Sequence, residues 1–314
     1  MPRTVVVRAP TRIDLGGGWT DVPPYCDREG GFVCNVAIDR YSTATLADGA
    51  GTVIESGDSA LVRAIEKRSA IPGARFALRN DYPVGAGLGG SSSASAAMLV
   101  AAAEWRGSTW ERADIAEMGR RIEVEDLGVA GGRQDHYAAT FGGALALTFT
   151  RTVAVRPIAL SAATRSALSA RSILVYTGQS RMSGDTITAV LGAYEQRDAR
   201  VIKALGRMRE LAEQMAVALE RGELDALGAM LGEHWQFQRA LHATIPTPLI
   251  DEIVGSAKGA GALGAKAMGA SGGGCVLILA RAGEEARVRA AVSRLGEFVG
   301  FGVDVEGVKV VQHS

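Results

Sequence analysis

A glycine- and serine-rich stretch at residues 85–93 constrains this chain more than any other feature. It reads Gly-Ala-Gly-Leu-Gly-Gly-Ser-Ser-Ser, with four glycines within six positions and then three consecutive serines. Glycine permits a left-handed backbone and a close approach of the main chain to a ligand. The small residues from Ser91 to about Gly107 predict a helix, whose first turn offers free N–H groups and a positive dipole end. The stretch therefore predicts a phosphate-binding loop.

Two other phosphate loops fit this stretch less well. No Lys-Ser or Lys-Thr pair follows the glycines, so it is not a Walker A loop. Gly85, Gly87 and Gly90 match the GxGxxG pattern of dinucleotide-binding folds, but in those folds a strand follows the helix and ends near an acidic residue. Here a second helix is predicted, from Thr109 to Asp126. A dinucleotide site is thus disfavoured, and a glycine-rich helix start without a ligand is the remaining alternative.

The composition is that of a globular protein without nucleic-acid or membrane partners. Hydrophobic residues make up 47% of the 314 residues, and 34 Lys+Arg balance 34 Asp+Glu, so no net positive charge attracts nucleic acid. No uninterrupted apolar run approaches the roughly 18 residues of a membrane helix. Three cysteines without a CxxC pair predict reduced thiols, and the chain does not begin with a signal-peptide pattern. We therefore expect a cytoplasmic protein.

The patterns along the chain predict two domains, residues 1–160 and 161–314, with the boundary near 155–172. Strands are predicted at residues 5–7, 32–46, 75–78, 144–149, 275–279 and 303–311, and a hairpin partner around 153–155. Leu, Met and Ala recur at three- and four-residue spacing between residues 186 and 241, which predicts helices. A further helix is predicted at 284–295.

Four ordered blocks resemble the GHMP kinases, the family that includes galactokinase and the homoserine, mevalonate and phosphomevalonate kinases. The blocks are APTRIDLGGGWTD at 9–21, PVGAGLGGSS at 83–92, GGRQDHYAATFGG at 131–143 and KAMGASGGGC at 266–275. The resemblance covers nearly the whole chain. It implies an ATP-dependent kinase with an α+β architecture, in which an N-terminal domain like ribosomal protein S5 domain 2 and a ferredoxin-like C-terminal domain enclose the active site.

The resemblance also assigns residues to ATP, catalysis and Mg²⁺. The ATP loop would comprise Gly85, Ala86, Gly87, Leu88, Gly89, Gly90, Ser91 and Ser92. Asp135 would be the general base, and Arg12 would keep it ionised and stabilise charge on the transferring phosphoryl group. Ser91 and Glu123 would bind Mg²⁺, with Glu125 as a rival for the carboxylate ligand. The alternatives are a helix cap for Asp135, a surface ion pair for Arg12 and an exposed helix charge for Glu123.

Within the family, the chain is most similar to the D-glycero-D-manno-heptose 7-phosphate kinases. The similarity includes TDVPPYCD at 20–27, QDHYAA at 134–139 and GAGALGAK at 259–266. It implies phosphorylation of the anomeric hydroxyl to a 1,7-bisphosphate. Trp19 replaces the glycine usual in heptose kinases and gives a fucokinase-like pattern, and further departures occur at Gly90, Arg133, His136 and Ser271. An unphosphorylated sugar such as fucose, on whose ring Trp19 would stack, and a non-catalytic binding protein are the alternatives.

The substrate contacts follow from the same resemblance. They would be Thr20, Asp21, Trp19, Gly272 and Arg181. Cations for a substrate phosphate would come from Arg133, Arg181 and Lys266. The expected ligands are therefore ATP, Mg²⁺ and a sugar or sugar phosphate, and a homodimer is left open.

Overall fold

The computed structural model describes residues 3–69, 71, 73–179 and 184–313, and it contains two β-sheets. The first sheet consists of β1 Thr4–Gly16, β2 Gly31–Asp48, β3 Thr52–Ile54, β4 Ala74–Asn80, β5 Ala144–Phe149, β6 Val153–Ile158 and β11 Lys309–His313. The second sheet consists of β7 Ser172–Tyr176, β8 Ala262–Ala267, β9 Cys275–Ala280 and β10 Glu297–Phe298.

Helices pack against both sheets. Those between the strands of the first sheet are α1 Tyr25–Glu29, α2 Ser59–Ser69, α3 Gly90–Arg106, α4 Arg112–Arg121 and α5 Gln134–Phe141, and a π-helical turn, Ile122–Asp126, continues α4. Those that follow are α6 Ala162–Arg171, α7 Gly184–Glu195, α8 Ala199–Arg221, α9 Leu224–Ala240, α10 Pro248–Gly259 and α11 Glu285–Val292. Among the described residues, no helix is long and apolar enough to cross a membrane.

The first sheet is organised around β2, the longest strand. β1 pairs with β2 antiparallel along most of its length, whereas β5 pairs with the first half of β2 and β4 with the second half. α3 packs across β1 and β2. This close packing is possible because the helix consists mainly of alanine and serine, and it is buried on nearly all sides.

The second sheet has the order β10-β7-β9-β8 and is covered by α8, α9, α10 and α11. α8 is amphipathic, with Leu205, Met208, Ala212 and Met215 among its buried residues at helical spacing. Its later residues also pack against Ile13 and Leu15 of β1. One apolar core therefore runs from the second sheet to the first and fixes the two sheets relative to each other.

The predicted α+β architecture is confirmed, but two of the predicted elements begin later than expected. The helix expected from Thr109 begins at Arg112. The strand expected at 303–311 begins at Lys309, because Asp304 Oδ1 accepts hydrogen bonds from the N–H groups of Glu306 and Gly307 and holds a turn there. That strand, β11, pairs with β1, so the chain returns to the first sheet. The domain division at residue 160 stays a prediction.

Candidate active site

A cleft with a volume of about 330 Å³ brings the four blocks together. Parts of residues 12–22, 80–94, 129–135 and 268–274 line it, together with Glu123. These segments lie in or beside elements that pack around both sheets, and in this way blocks more than 100 residues apart in the sequence form one site.

The loop before α3 has the backbone that its glycines predict. Gly85, Gly87 and Gly89 have φ values of 74°, 73° and 75°, in the left-handed region. A Cβ on Gly87 would lie 2.8 Å from the carbonyl oxygen of Met268, so a side chain does not fit there. The N–H of Cys275 donates a 2.8 Å hydrogen bond to the carbonyl of Ala86. The loop is thus held directly against the fourth block.

Tyr82 explains why glycine occupies position 90. A Cβ on Gly90 would lie 2.8 Å from the Tyr82 ring. The Tyr82 hydroxyl hydrogen-bonds the Gly90 carbonyl at 3.0 Å and the Ser42 hydroxyl at 2.6 Å.

The serines that follow differ in their exposure. Ser93 is buried and donates to a carbonyl of β1, whereas Ser91 is exposed at the start of α3. Of these two serines, Ser91 is therefore the one available to a ligand.

The two candidate catalytic residues are in direct contact. Arg12 is 3% exposed, and its Nε and Nη2 both lie 2.7 Å from Asp135 Oδ1. Arg12 Nη1 also donates a 2.6 Å hydrogen bond to the Gly87 carbonyl. A Cβ on Gly89 would lie 3.2 Å from Asp135, so this carboxylate lies against the loop. Asp135 does not cap α5. The N-cap residue of this helix, Arg133, makes no side-chain cap, and Asp21 Oδ2 instead accepts a hydrogen bond from the N–H of Gln134 at the start of the helix.

Glu123 lies in the cleft, whereas its rival lies on the surface. Glu123 Oε2 is 3.1 Å from His136 Nε2, and its Oε1 is buried without a hydrogen-bond partner. Burial raises the pKa of Glu123, but the charge of His136, together with hydrogen bonds from His136 and Ser91, brings it below its ordinary value. Glu125 instead forms a 3.5 Å ion pair with Arg68. An unpartnered buried carboxylate oxygen near a serine hydroxyl fits a Mg²⁺ ion.

Asp21 and Trp19 also line the cleft. Asp21 Oδ2 accepts hydrogen bonds from the N–H groups of Arg133, at 2.8 Å, and Gln134, at 3.0 Å. Burial raises the pKa of Asp21 to about 6. Trp19 is 6% exposed with φ 80°, and its ring belongs to the core that includes Tyr25. This packing leaves little of the ring open for the stacking on a sugar that the sequence suggested.

Three of the predicted substrate contacts lack support from this geometry. The Thr20 hydroxyl donates to the Gly17 carbonyl and accepts from the Phe32 N–H, so it stabilises a turn, and Thr20 is not part of the cleft lining. Gly272 donates its N–H to the Ile245 carbonyl and likewise does not line the cleft. Arg181 lies outside the described residues.

Lys266, a predicted cation for the substrate phosphate, is fully buried. Its Nζ lies 2.9 Å from both Oδ2 and the carbonyl oxygen of Asp14. Arg133, the second such candidate, is not part of the cleft lining, and its Nε lies 3.9 Å from Glu117 Oε1. Neither side chain faces the cleft, which corrects both suggestions.

The sequence reasoning missed Asp14, which lines the cleft. The signal was a charged residue between two apolar residues of β1, Ile13 and Leu15, since a buried charge needs a partner. His234 lies in the same region and accepts the Gly17 N–H at 2.9 Å. Burial lowers the pKa of His234 to about 3.

Because His234 is buried with a lowered pKa, we expect the folded protein to lose stability in acid. Between its ordinary pKa of 6.5 and about 3, the unfolded chain binds a proton at this site that the folded chain does not. The free energy of unfolding should therefore fall as the pH drops through this window, by up to about 1.4 kcal/mol per pH unit. The His234→Gln variant should show a smaller slope in urea titrations between about pH 4.5 and 6.5. Equal slopes for both proteins would contradict a neutral buried His234.

Comparisons with known proteins show the family of the chain. Residues 58–143 match the GHMP kinases N terminal domain and residues 215–297 match the GHMP kinases C terminal domain, together more than half of the chain. The D-glycero-alpha-D-manno-heptose 7-phosphate kinase of Campylobacter jejuni is 28% identical over 98% of both chains. The bifunctional fucokinase/GDP-fucose pyrophosphorylase of Arabidopsis thaliana is 27% identical over 97% of this chain and 32% of its own.

The solved structures show the same relationship. The crystal structure of a D-glycero-D-manno-heptose 1-phosphate kinase from Bacteroides thetaiotaomicron superposes with a TM-score of 0.78 at 25% identity, covering 98% of this chain and 99% of that one. A putative sugar kinase from Campylobacter jejuni gives a TM-score of 0.78 at 27% identity, with 99% and 98% covered. The predicted two-domain fold and kinase activity are thereby confirmed. The chain belongs to the GHMP kinase family and is an ATP-dependent sugar kinase.

Proposed function

We propose that this kinase transfers the γ-phosphoryl group of ATP to the anomeric hydroxyl of a heptose 7-phosphate and forms the 1,7-bisphosphate. The observation that carries the proposal is the contact of Asp135 with Arg12 at the loop before α3. It lies in a chain similar, over nearly its whole length, to an enzyme named for a heptose 7-phosphate substrate. Phosphoryl transfer depends mainly on positioning and charge stabilisation, which this site provides.

The loop and α3 bind the phosphates of ATP in this proposal. The left-handed glycines leave main-chain N–H groups at the start of α3 free, and the helix dipole favours an anion there. Ser91 and Glu123 would hold Mg²⁺, which supplies positive charge that neutralises the phosphates. His136 holds Glu123 Oε2 and leaves Oε1 for the ion.

Asp135 and Arg12 act on the transferring group. Asp135 accepts the proton of the sugar hydroxyl as the phosphoryl group arrives. Arg12 holds Asp135 by two nitrogens and the loop by a third, so it fixes the base relative to the phosphates. Its guanidinium also stabilises the negative charge that spreads over the transferring oxygens.

An unphosphorylated sugar such as fucose is the second candidate, and the charge of the cleft favours it. Among the described residues that line the cleft, Arg12 is the only Lys or Arg, and it is already paired with Asp135. Fucokinases are also similar to nearly the whole chain. The 7-phosphate of a heptose would need a further cation, and Arg181 is the remaining candidate from the sequence.

A coupled assay of ADP release over sugars and sugar 7-phosphates tests the substrate. Turnover of a heptose 7-phosphate, with the product identified as the 1,7-bisphosphate by phosphorus NMR, is the expected result. Turnover of unphosphorylated sugars alone would reject the heptose 7-phosphate in favour of the second candidate. A cytoplasmic location and a homodimer stay predictions.

Exchanging Glu123 for glutamine should raise the Mg²⁺ requirement. Loss of the carboxylate charge weakens the ion's site, and we expect the Mg²⁺ concentration for half-maximal activity to rise by about 10- to 100-fold. Glu125→Gln is the matched control, because Glu125 lies two residues away but pairs with Arg68 on the surface. Binding of Mn²⁺ in the presence of ADP, followed by electron paramagnetic resonance, gives a readout independent of turnover. Equal effects of the two exchanges would contradict the role of Glu123.

A further inference from the structure

We propose that Gln238 of α9 is a positioning residue for ATP binding, and that it acts by holding the fourth block against the loop before α3. This role rests on the proposed binding of the ATP phosphates by that loop. Gln238 is 1% exposed, lies in the last turn of α9 and is not part of the cleft lining. It belongs to none of the four sequence blocks, so only the tertiary structure connects it with the site.

The side-chain amide of Gln238 donates to three acceptors of the fourth block. Its Nε2 lies 3.2 Å from the Ala267 carbonyl oxygen and 3.1 Å from the Gly269 carbonyl oxygen. The same nitrogen lies 2.9 Å from the Ser271 hydroxyl oxygen. Because a carbonyl oxygen can only accept a hydrogen bond, the two carbonyls require the nitrogen end of the amide to face the block. The two N–H groups are therefore shared among three alternate residues of the chain.

The segment that Gln238 holds has a backbone that needs support from outside. Gly269 has φ 61° and Ser271 has φ 70°, and the left-handed region is uncommon for a residue with a Cβ. Such conformations persist where the surrounding structure fixes them. A glycine-rich segment also loses much conformational entropy when it is ordered. Gln238 offsets part of this cost with hydrogen bonds from one buried side chain.

The same segment lies directly against the loop before α3. A Cβ on Gly87 would lie 2.8 Å from the Met268 carbonyl oxygen, and a Cβ on Gly269 would lie 3.2 Å from the Gly87 Cα. Gln238 thus bonds the carbonyls of the two residues that flank Met268 in the chain. Closely packed groups transmit a shift, because they leave no free space to absorb it. A displacement of the fourth block at Met268 therefore reaches the loop at Gly87.

Gln238→Met tests this role, because methionine has a similar length and fills the space but has no hydrogen-bond donor. The fourth block should lose its hold, and the loop should lose its fixed geometry. We expect KM for ATP to rise by about 5- to 20-fold, in the range for buried acceptors that lose a neutral donor. In contrast, kcat and KM for the sugar should change by less than about threefold. The Kd of a non-hydrolysable ATP analogue, measured by calorimetry, should rise together with KM for ATP.

Two further variants keep the test decisive. Trp235→Phe is the matched control, because Trp235 is fully buried in the same helix and its indole N–H has no hydrogen-bond partner among the described residues. It should lower the melting temperature through the cavity it leaves, and KM for ATP should stay unchanged. If Gln238→Met does not fold, Gln238→Asn decides. Asparagine keeps the amide but is one methylene shorter, so its donors fall short of the carbonyls and KM for ATP should again rise.

The outcomes separate the role of Gln238 from the role of the loop. An unchanged KM for ATP in the Gln238 variants would overturn the positioning role, and so would an equal rise in Trp235→Phe, since general loosening of α9 would then explain it. Gly87→Ala changes the loop itself. If it raises KM for ATP while the Gln238 variants do not, only the role of Gln238 is rejected. If neither exchange changes KM for ATP, the assignment of the loop to ATP fails as well.

Discussion

Replacing Asp135 by asparagine is expected to lower kcat by about 10²- to 10⁴-fold, the range of a lost general base. Asparagine has nearly the same shape and keeps an oxygen toward Arg12 Nε and Nη2. The side chain loses its ability to take a proton, whereas the loop around Gly87 and its hold by Arg12 stay in place. Binding of ATP should therefore change little.

The measurements are kcat from ADP release and the Kd of a non-hydrolysable ATP analogue from calorimetry. Asp304→Asn is the matched control. This buried aspartate binds Tyr41 and the main chain of a turn, and it is not among the residues that line the cleft. A variant with nearly wild-type kcat would show that Asp135 orients the substrate hydroxyl without accepting its proton. A large loss of ATP affinity would instead mean that the charge of Asp135 supports the loop.

Replacing Gly87 by alanine should raise the KM for ATP by more than about tenfold. The new Cβ would lie 2.8 Å from the Met268 carbonyl oxygen, which is too close. This oxygen belongs to the backbone, so it cannot move aside as the end of a flexible side chain could. The loop must then move away from the fourth block, and the N–H groups that we propose bind phosphate move with it. Preorganised donors lose much of their effect when displaced by about 1 Å.

Gly107→Ala is the matched control for this exchange. Gly107 ends α3 with φ 67°, close to the 73° of Gly87, but nothing lies within 4 Å of a Cβ there. Both variants pay about 1 kcal/mol for a left-handed alanine, and their melting temperatures should drop. Only Gly87→Ala should affect ATP. If both variants kept the wild-type KM for ATP, the fit between the loop and Met268 would be without importance for nucleotide binding.

The features that the sequence predicted well are local. The glycines at 85, 87 and 89 need a left-handed backbone, and the small residues after them need close neighbours, so loop and helix follow from residue types alone. The helical spacing between residues 186 and 241 likewise predicted helices that the structure contains as α7, α8 and α9. The ordered blocks carried the family and the α+β fold.

Other features depend on contacts between distant parts of the chain. Spacing could not decide between Glu123 and Glu125, because their environments differ through His136 and Arg68, which belong to other helices. Thr20 was expected in the cleft, yet its hydroxyl is taken up by backbone groups.

The sequence by itself thus predicted a phosphate-binding loop, since such a loop is a property of consecutive residues, and its four ordered blocks indicated the GHMP kinase family. The tertiary structure decided which charged residues line the cleft. Lys266 does not line the cleft, whereas Asp14 does. The two groups are 252 residues apart in the chain, and the tertiary fold brings them to 2.9 Å. A buried charge needs an ion-pair partner. Which residue becomes that partner depends on the tertiary fold and cannot be read from the neighbouring sequence.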